Sequence, residues 1–247
     1  MKRSTGSQIY ASILVNAIYA MRNYPITFVS TLLAPVSILI VITLVSNGAL
    51  LSVGVEGALI TAMVTSGIGL QGDLSHLKND FKLQDMVVSS PTTAFVYMLG
   101  MAISEIVYSL PAIVVLAILA ILFIKTTIIG WIILLIILAI MFAFSIALGF
   151  LLSTFTSDIV QNWAFAGILS TILTTIPPIY YTINYIPAAF RPIAYLSPTT
   201  YAAELAQNAI GALQLSPLNI AVDWVMIIGI AIVLFYLSMK KSQWRES

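Results

Sequence analysis

Long stretches without a charged residue constrain this chain more than any other feature of its sequence. Thirty-three uncharged residues separate Arg22 from Glu56, 32 separate Lys125 from Asp158, and another 32 separate Asp158 from Arg191. Only 8% of the 247 residues are charged and 60% are hydrophobic, whereas a soluble domain carries about 25% charged residues. Such a chain cannot cover itself with a water-facing surface. The sequence therefore excludes a soluble enzyme and a nucleic-acid-binding protein, and it predicts an integral membrane protein.

The uncharged stretches also locate the predicted membrane spans. In hydrocarbon the backbone must satisfy its own hydrogen bonds, so apolar runs of about 20 residues cross the bilayer as helices. We expect one all-α domain across residues 1–247 with six spans, at 26–46, 57–71, 94–123, 128–152, 159–181 and 225–239. The second of these is short, and the last is entered near Val222.

The basic residues predict the orientation of this domain. Lysine and arginine in short loops are retained on the cytoplasmic side. With six spans, only Lys125 and Arg191 fall on one side, and the other side holds Lys2, Arg3, Arg22, Lys78, Lys82, Lys240, Lys241 and Arg245. We therefore expect a multi-pass protein of the cell membrane with both termini in the cytoplasm.

Residues 7–24 predict an amphipathic helix that lies in the cytoplasmic interface. Apolar residues recur at helical spacing, and polar ones fall opposite; these are Ile9, Ile13, Leu14, Ala17, Ile18 and Met21 against Gln8, Ser12, Asn16 and Asn23. This pattern is typical of a helix in the plane of the membrane surface. A simple anchor and a docking site for a partner both remain open.

Residues 72–90 form a charged segment between the second and third predicted spans. Residues 72–86 carry five of the chain's nineteen charges, with both signs represented. Leu74, Leu77 and Phe81 share one helical face, which predicts a short amphipathic helix in the cytoplasm. Either it is a solvated loop or it docks a soluble partner through Leu74, Leu77, Lys78, Asp80, Phe81, Lys82 and Asp85.

The segment 182–220, between the fifth and sixth spans, is too apolar for an aqueous loop on the external side. Its only charges are Arg191 and Glu204. Ser197-Pro198-Thr199-Thr200 predicts the start of a helix that Gly211 closes, because serine caps a helix and proline suits its first position. We expect either two short re-entrant or interfacial helices or an external cap on the bundle.

Two rows of small and polar residues follow one face of predicted spans. Thr61, Thr65 and Gly69 form one row, and Asn162, Ala166, Ser170 and Thr174 form the other. Such rows either mediate close helix packing or line a transport pathway between two subunits, formed by Thr61, Thr65, Asn162, Ser170 and Thr174.

Two further features of the spans have consequences. Pro177-Pro178 should kink or end the fifth span. Glu105 is the carboxylate that we expect deepest in a span, where it is either functional or merely close to the interface.

Several kinds of chemistry have no motif in this chain. It has no cysteine, one histidine (His76) and no G-x-x-x-x-G-K-[ST] sequence. We therefore expect no metal site, no catalytic triad and no nucleotide cofactor bound by this chain, and no enzyme activity of its own.

In the order and spacing of these segments the chain resembles the permease subunits of type-2 ATP-binding-cassette exporters. The resemblance covers nearly the whole chain: the N-terminal helix, six spans, the charged segment followed by Ser90-Pro91, and Ser197-Pro198-Thr199-Thr200-Tyr201. That last sequence is similar to an Asn/Ser-Pro-x-x-Tyr pattern of the family. Arg191, Ser197, Pro198, Tyr201 and Glu204 are the external residues singled out.

The resemblance implies a mechanism. Residues 74–86 would be the coupling helix that inserts into a separate ATPase subunit, which binds Mg-ATP, and two copies of the chain would pair around spans one, two and five. An amphipathic cargo such as a lipid, drug or lipid-linked glycan suits the uncharged spans. A transporter or channel that needs no partner, and a membrane assembly factor, remain alternatives.

Overall fold

The computed structural model describes residues 5–23, 25–79, 94–155 and 159–241. Within these ranges every regular element is helical and no strand occurs. The elements are α1 (Thr5–Ile13), a π-helical turn (Leu14–Ile18), α2 (Tyr19–Asn23), α3 (Thr27–Val45), α4 (Leu51–Asn79), α5 (Ala94–Phe123), α6 (Ile128–Ser153), α7 (Ile159–Thr174), a 3-10 turn (Ile183–Tyr185), α8 (Arg191–Ala194), α9 (Pro198–Ala209) and α10 (Pro217–Lys241).

The helices form a bundle with two distinguishable ends. Short connections at 46–50 and 124–127 join α3 to α4 and α5 to α6 at one end. Helix α9 lies at the same end, because the Thr126 hydroxyl donates to the Ala209 carbonyl at 2.6 Å. We call this the distal end, and the opposite end, which holds α1 and α2, the proximal end.

Among the residues that the structure describes, four helices are long and apolar enough to cross a membrane. These are Leu51–Gly69, Leu99–Phe123, Ile128–Ser153 and Pro217–Lys240, and a shorter apolar helix covers Pro35–Val45. Large apolar side chains face outward along α5 and α10, among them Ile121 and Ile232. Because such side chains are stable in lipid and not in water, the chain is a multi-pass membrane protein.

Helix α4 forms the centre of the bundle. Residues 53–64 are all buried, and α3, α5, α6 and α7 pack around the helix. Glycines bring α4 and α6 close together, because a Cβ on Gly67 would collide with Ser145. The Ser145 hydroxyl donates across this contact to the Met63 carbonyl at 3.0 Å. Small residues at a crossing let two membrane helices approach and gain van der Waals contact.

The predicted helix bounds are confirmed for three spans. Helix α5 covers 94–123 as predicted. Helix α3 is one residue shorter at each end than predicted, and α6 is one residue longer at its C-terminal end. At the distal end, Thr127 caps α6 by accepting a hydrogen bond from the Gly130 backbone N–H. Charge-free length and helix-capping residues were sufficient to define these helices.

The predicted bounds of the other three spans were wrong. Helix α4 covers Leu51–Asn79 and not 57–71, because Asn47 and Gly48, both at positive φ, end α3 early enough for a new helix to begin at residue 51. Helix α7 ends at Thr174 and not at 181, since Pro177 and Pro178 cannot continue it. Helix α10 begins at Pro217, eight residues before the predicted start, because proline suits the first turn of a helix.

The N-terminal helix packs against α5, with a π-helical turn at Leu14–Ile18. Ser12 Oγ lies 3.3 Å from Ser104 Oγ, and Asn16 Nδ2 lies 3.2 Å from Met101 Sδ. The polar side of this helix therefore contacts α5. The amphipathic pattern alone would indicate that this side faces water, so that expectation was wrong.

Candidate functional site

The chain turns back into the bundle after α7. Pro177 and Pro178 have no backbone N–H and interrupt the helical hydrogen bonds, so residues 176–181 are non-helical. Residues 177–180 are nevertheless buried, with Ile179 fully so. We call residues 175–182 the return segment. Non-helical backbone inside a membrane protein must be enclosed by other parts of the protein or line a water-filled cavity.

Tyr180 attaches the return segment to α4. Its hydroxyl donates to Thr61 Oγ1 at 2.8 Å, and the tyrosine is only 3% exposed. Immediately beside it, Gly57 lies against the Ile179 carbonyl so closely that a Cβ could not be accommodated. The return segment and the distal half of α4 are therefore packed backbone against backbone.

Gln207 of α9 holds the other side of the return segment. Its Nε2 donates to the Pro178 carbonyl at 3.0 Å and to the Tyr181 carbonyl at 3.2 Å. The side chain is fully buried, and its Oε1 accepts no hydrogen bond from the described residues. One amide thus satisfies two backbone carbonyls of the non-helical return segment.

Glu56 is buried in the second turn of α4. Its side chain has no exposed surface, and neither carboxylate oxygen accepts a hydrogen bond from the part of the chain that the structure describes. Buried charges are normally paired with an opposite charge or with hydrogen-bond donors. Within the described part of the chain, Asp223 has one buried oxygen without a partner, whereas Glu56 has both.

Sequence reasoning missed Glu56 as a site residue and used it only to mark the end of a span. The signal that could have found it is Ser46-Asn47-Gly48, a turn sequence that ends the preceding helix. A helix that begins directly after this turn carries Glu56 inside the bundle rather than at its boundary.

The two predicted rows of small and polar residues lie inside a single chain. Thr61, Asn162, Ala166 and Thr174 are buried, and α7 packs on α4. Ser170 is partly exposed.

The hydroxyls of these rows bond mainly within their own helices. Thr65 Oγ1 donates to the Thr61 carbonyl, and Thr174 Oγ1 donates to the Ser170 carbonyl. In one chain these rows therefore serve helix packing, and their role in a transport pathway stays a prediction.

The residues that the sequence predicts on the external side form a compact cluster around α8 and α9. Tyr195 donates to Glu204 Oε1 at 2.8 Å, and Tyr201 donates to the Tyr195 carbonyl at 2.8 Å. Arg191 Nε donates to the Ile186 carbonyl at 3.0 Å. Burial raises the pKa of Glu204, partly opposed by the bond from Tyr195, and burial also raises the pKa of Tyr195.

Helix α9 has the predicted bounds but not the predicted cap. It begins with Pro198 in its first turn, and Gly211 follows its end at φ +80. Ser197 makes no capping bond, since its hydroxyl shares a 2.7 Å hydrogen bond with Thr199 Oγ1. Thr200 instead donates to the Ala194 carbonyl, which joins α9 to α8.

The predicted docking segment is only partly within the described residues. Leu74, Leu77 and Lys78 lie on the last turns of α4, which continues without interruption from the span. The prediction of a separate helix in this segment was therefore wrong for residues 72–79, which are an extension of α4. The remaining predicted docking residues, Asp80, Phe81, Lys82 and Asp85, lie outside the described residues.

Glu105 is buried within α5, near the contact with the N-terminal helix. It is 7% exposed and interacts with other groups. Its neighbour Ser104 donates to the Gly100 carbonyl at 2.7 Å. Unlike Glu56, this carboxylate is not isolated.

Comparison with known protein families gives a match that covers most of the chain. Residues 7–210 match the family described as ABC-2 type transporter. A search of curated proteins found no significant match. The matched range begins in α1 and ends just after α9, so it includes Glu56, the return segment and the cluster around α8 and α9.

Proposed function

Because the chain belongs to the ABC-2 type transporter family, we propose that it is the permease subunit of an exporter driven by a separate ATPase. Two copies form the substrate pathway in the plasma membrane, and nucleotide binding on the ATPases switches the pathway between two states. The observation that carries this proposal is the family match over 204 residues, from 7 to 210.

The helical arrangement supports six spans. Helices α3 and α7 pack on α4, which is one of the four long apolar helices, and their large outward side chains are mostly apolar. With α3, α4, α5, α6, α7 and α10 crossing the membrane, the proximal end carries most of the basic residues. The preference of lysine and arginine for the cytoplasmic side then orients both termini inward.

The length of α4 supports transmission of force to a cytoplasmic partner. Its 29 residues extend about 44 Å at 1.5 Å per residue, whereas the hydrocarbon core is about 30 Å thick. The final turns therefore extend beyond the membrane at the proximal end. A rigid helix that begins beside the return segment would transmit movement of the ATPase directly to Glu56 and Tyr180.

The outer face of α7 supports pairing of two copies. Five large apolar side chains on it are 44–70% exposed in the single chain: Val160, Trp163, Phe165, Ile168 and Ile172. Lipid would satisfy such a face, and so would a second copy. The family resemblance, which implies pairing through spans one, two and five, favours the second copy.

The test of the ATPase partnership is a charge reversal in the docking segment. We expect the double variant Asp80→Lys, Lys82→Glu to reduce the amount of ATPase recovered with the permease, because both charges that would contact the ATPase are reversed. Membrane insertion of the variant should be unaffected. Co-purification of the tagged permease with the ATPase measures this. The matched control is Lys125→Glu at the distal end, which should leave recovery unchanged. Equal recovery from all three proteins would contradict the docking role.

One observation favours a second candidate, a transporter that needs no ATPase. Such a protein requires an ionisable group inside the membrane, and Glu56 supplies one. Reconstituted vesicles containing the permease alone distinguish the two functions. Movement of an amphipathic cargo without ATP, driven by an ion gradient, would favour the second candidate over the first.

A further inference from the structure

Glu56 belongs to a group of acceptor oxygens that lacks matching donors. Both carboxylate oxygens and the Oε1 of Gln207 are buried and accept no hydrogen bond from the described residues. Gln207 borders the return segment through its bonds to two carbonyls. Glu56 precedes Gly57, which lies against the Ile179 carbonyl, and Glu56 interacts electrostatically with Tyr180 of the same segment. The Tyr180 hydroxyl itself donates to Thr61.

The return segment adds further acceptors. Proline has no N–H, so Pro177 and Pro178 contribute no donors, and their carbonyls accept from the Ile179 N–H and from Gln207 Nε2. The Ile179 carbonyl faces α4 at Gly57, the residue after Glu56. In membrane proteins, carbonyls released where a helix is broken, together with a carboxylate, are the ligands of small cations. A set of acceptors around one negative charge is the chemistry that recognises such an ion.

No positive side chain neutralises Glu56 within the described residues. At the distal end the basic residues are Lys125, which is exposed, and Arg191, which donates to Ile186. The elements packed against α4 contribute only acids and phenols. These are Glu105, Tyr97 and Tyr108 on α5, Tyr201 and Glu204 on α9, and Tyr180 and Tyr181 in the return segment, whereas α3, α6 and α7 carry no titratable side chain.

We propose that Glu56 is the anionic ligand of a small-cation site at the contact between α4 and the return segment. The occupant is a proton or an alkali-metal ion, because a fully enclosed side chain leaves no path for an organic amine. The Gln207 Oε1 and the Ile179 carbonyl complete the site. The bound cation neutralises a charge that would otherwise be strongly unfavourable in the bundle.

The site is independent of the ATPase partnership, so it is tested on the purified full-length chain in nanodiscs. The probes are sodium, exchanged for a large organic cation at constant ionic strength, and pH. We expect wild-type Tm to rise by roughly 5 °C, saturably, with sodium or with falling pH, because a ligand that binds only the folded state stabilises it. The Glu56→Gln variant should lose the part of that response that Glu56 contributes, whereas the titration of Glu204, whose pKa burial also raises, remains in both proteins.

The two supporting outcomes distinguish the occupants. A sodium response that disappears in Glu56→Gln identifies an alkali-metal ion, whereas a pH response that is reduced in that variant, without any sodium response, identifies a proton. Glu105→Gln makes the same chemical change at a carboxylate with interaction partners and should respond as the wild type does.

Should Glu56→Gln fail to fold, Glu56→Asp keeps the charge and should need more of the cation for the same shift in Tm. A wild-type Tm that depends on neither probe, or equal responses in Glu56→Gln and the wild type, would overturn the proposal.

Discussion

Gly57 is the residue at which α4 and the return segment come closest. We expect Gly57→Ala to destabilise the protein by about 1–3 kcal/mol, because the added Cβ would meet the Ile179 backbone carbonyl, which cannot move aside as a side chain can. Thermal unfolding of the purified chain measures this. The control is Gly69→Ala on the same helix, where nothing lies within 4 Å of the added Cβ.

The control should be neutral or stabilised by up to about 1 kcal/mol, since alanine favours a helix over glycine. Equal unfolding temperatures for the two variants would mean that the close contact at Gly57 is not maintained in the protein.

Individual residues were predicted well where the chemistry is local and poorly where it is not. Pro198 and Gly211 delimit α9 as expected, because proline and glycine act on their own backbone. The Tyr180–Thr61 bond joins residues 119 positions apart. No spacing rule connects such a pair, so the partner of either hydroxyl could not be predicted from the sequence.

At the scale of helices, a run of apolar residues predicts that a span exists better than it predicts where the span ends. Helices α5 and α6 matched because a charge or a capping threonine lies close to their ends. Helix α4 did not match because Glu56 interrupts the apolar run but not the helix. The turn at Asn47 and Gly48, rather than local hydropathy, determines where α4 begins.

The outward face of α7 contacts either a second copy of the chain or lipid, and a cysteine cross-link distinguishes the two. The natural chain has no cysteine, so Ile168→Cys introduces the only thiol. We expect oxidation in native membranes to produce a disulfide-linked dimer, because Ile168 is 56% exposed on the proposed interface. Gel electrophoresis without reductant measures the product.

The matched control for this cross-link is Ile121→Cys on α5, which is 73% exposed but on a face proposed to meet lipid. It should remain monomeric. Dimers from Ile121→Cys but not from Ile168→Cys would move the interface away from α7.

For the whole molecule, the sequence predicted the helical class, the membrane location and the family, all of which hold. These properties depend on sums over many residues, so an error at one helix end does not change them. The site depends on a few buried side chains brought together by the fold, and Glu56 and Gln207 were therefore recognised only in the structure.

Orientation is the property of the whole molecule on which the coupling mechanism depends. Thr5 at the proximal end and Gln214 at the distal end are both exposed, and each can be replaced by a unique cysteine. We expect a membrane-impermeant maleimide to label Gln214→Cys in intact cells, and Thr5→Cys only after permeabilisation, because the basic proximal end is retained in the cytoplasm. The cysteine-free natural chain is the control. The reverse pattern would put the last turns of α4 outside the cell, where no ATPase could reach them, and would leave the gradient-driven transporter as the better account.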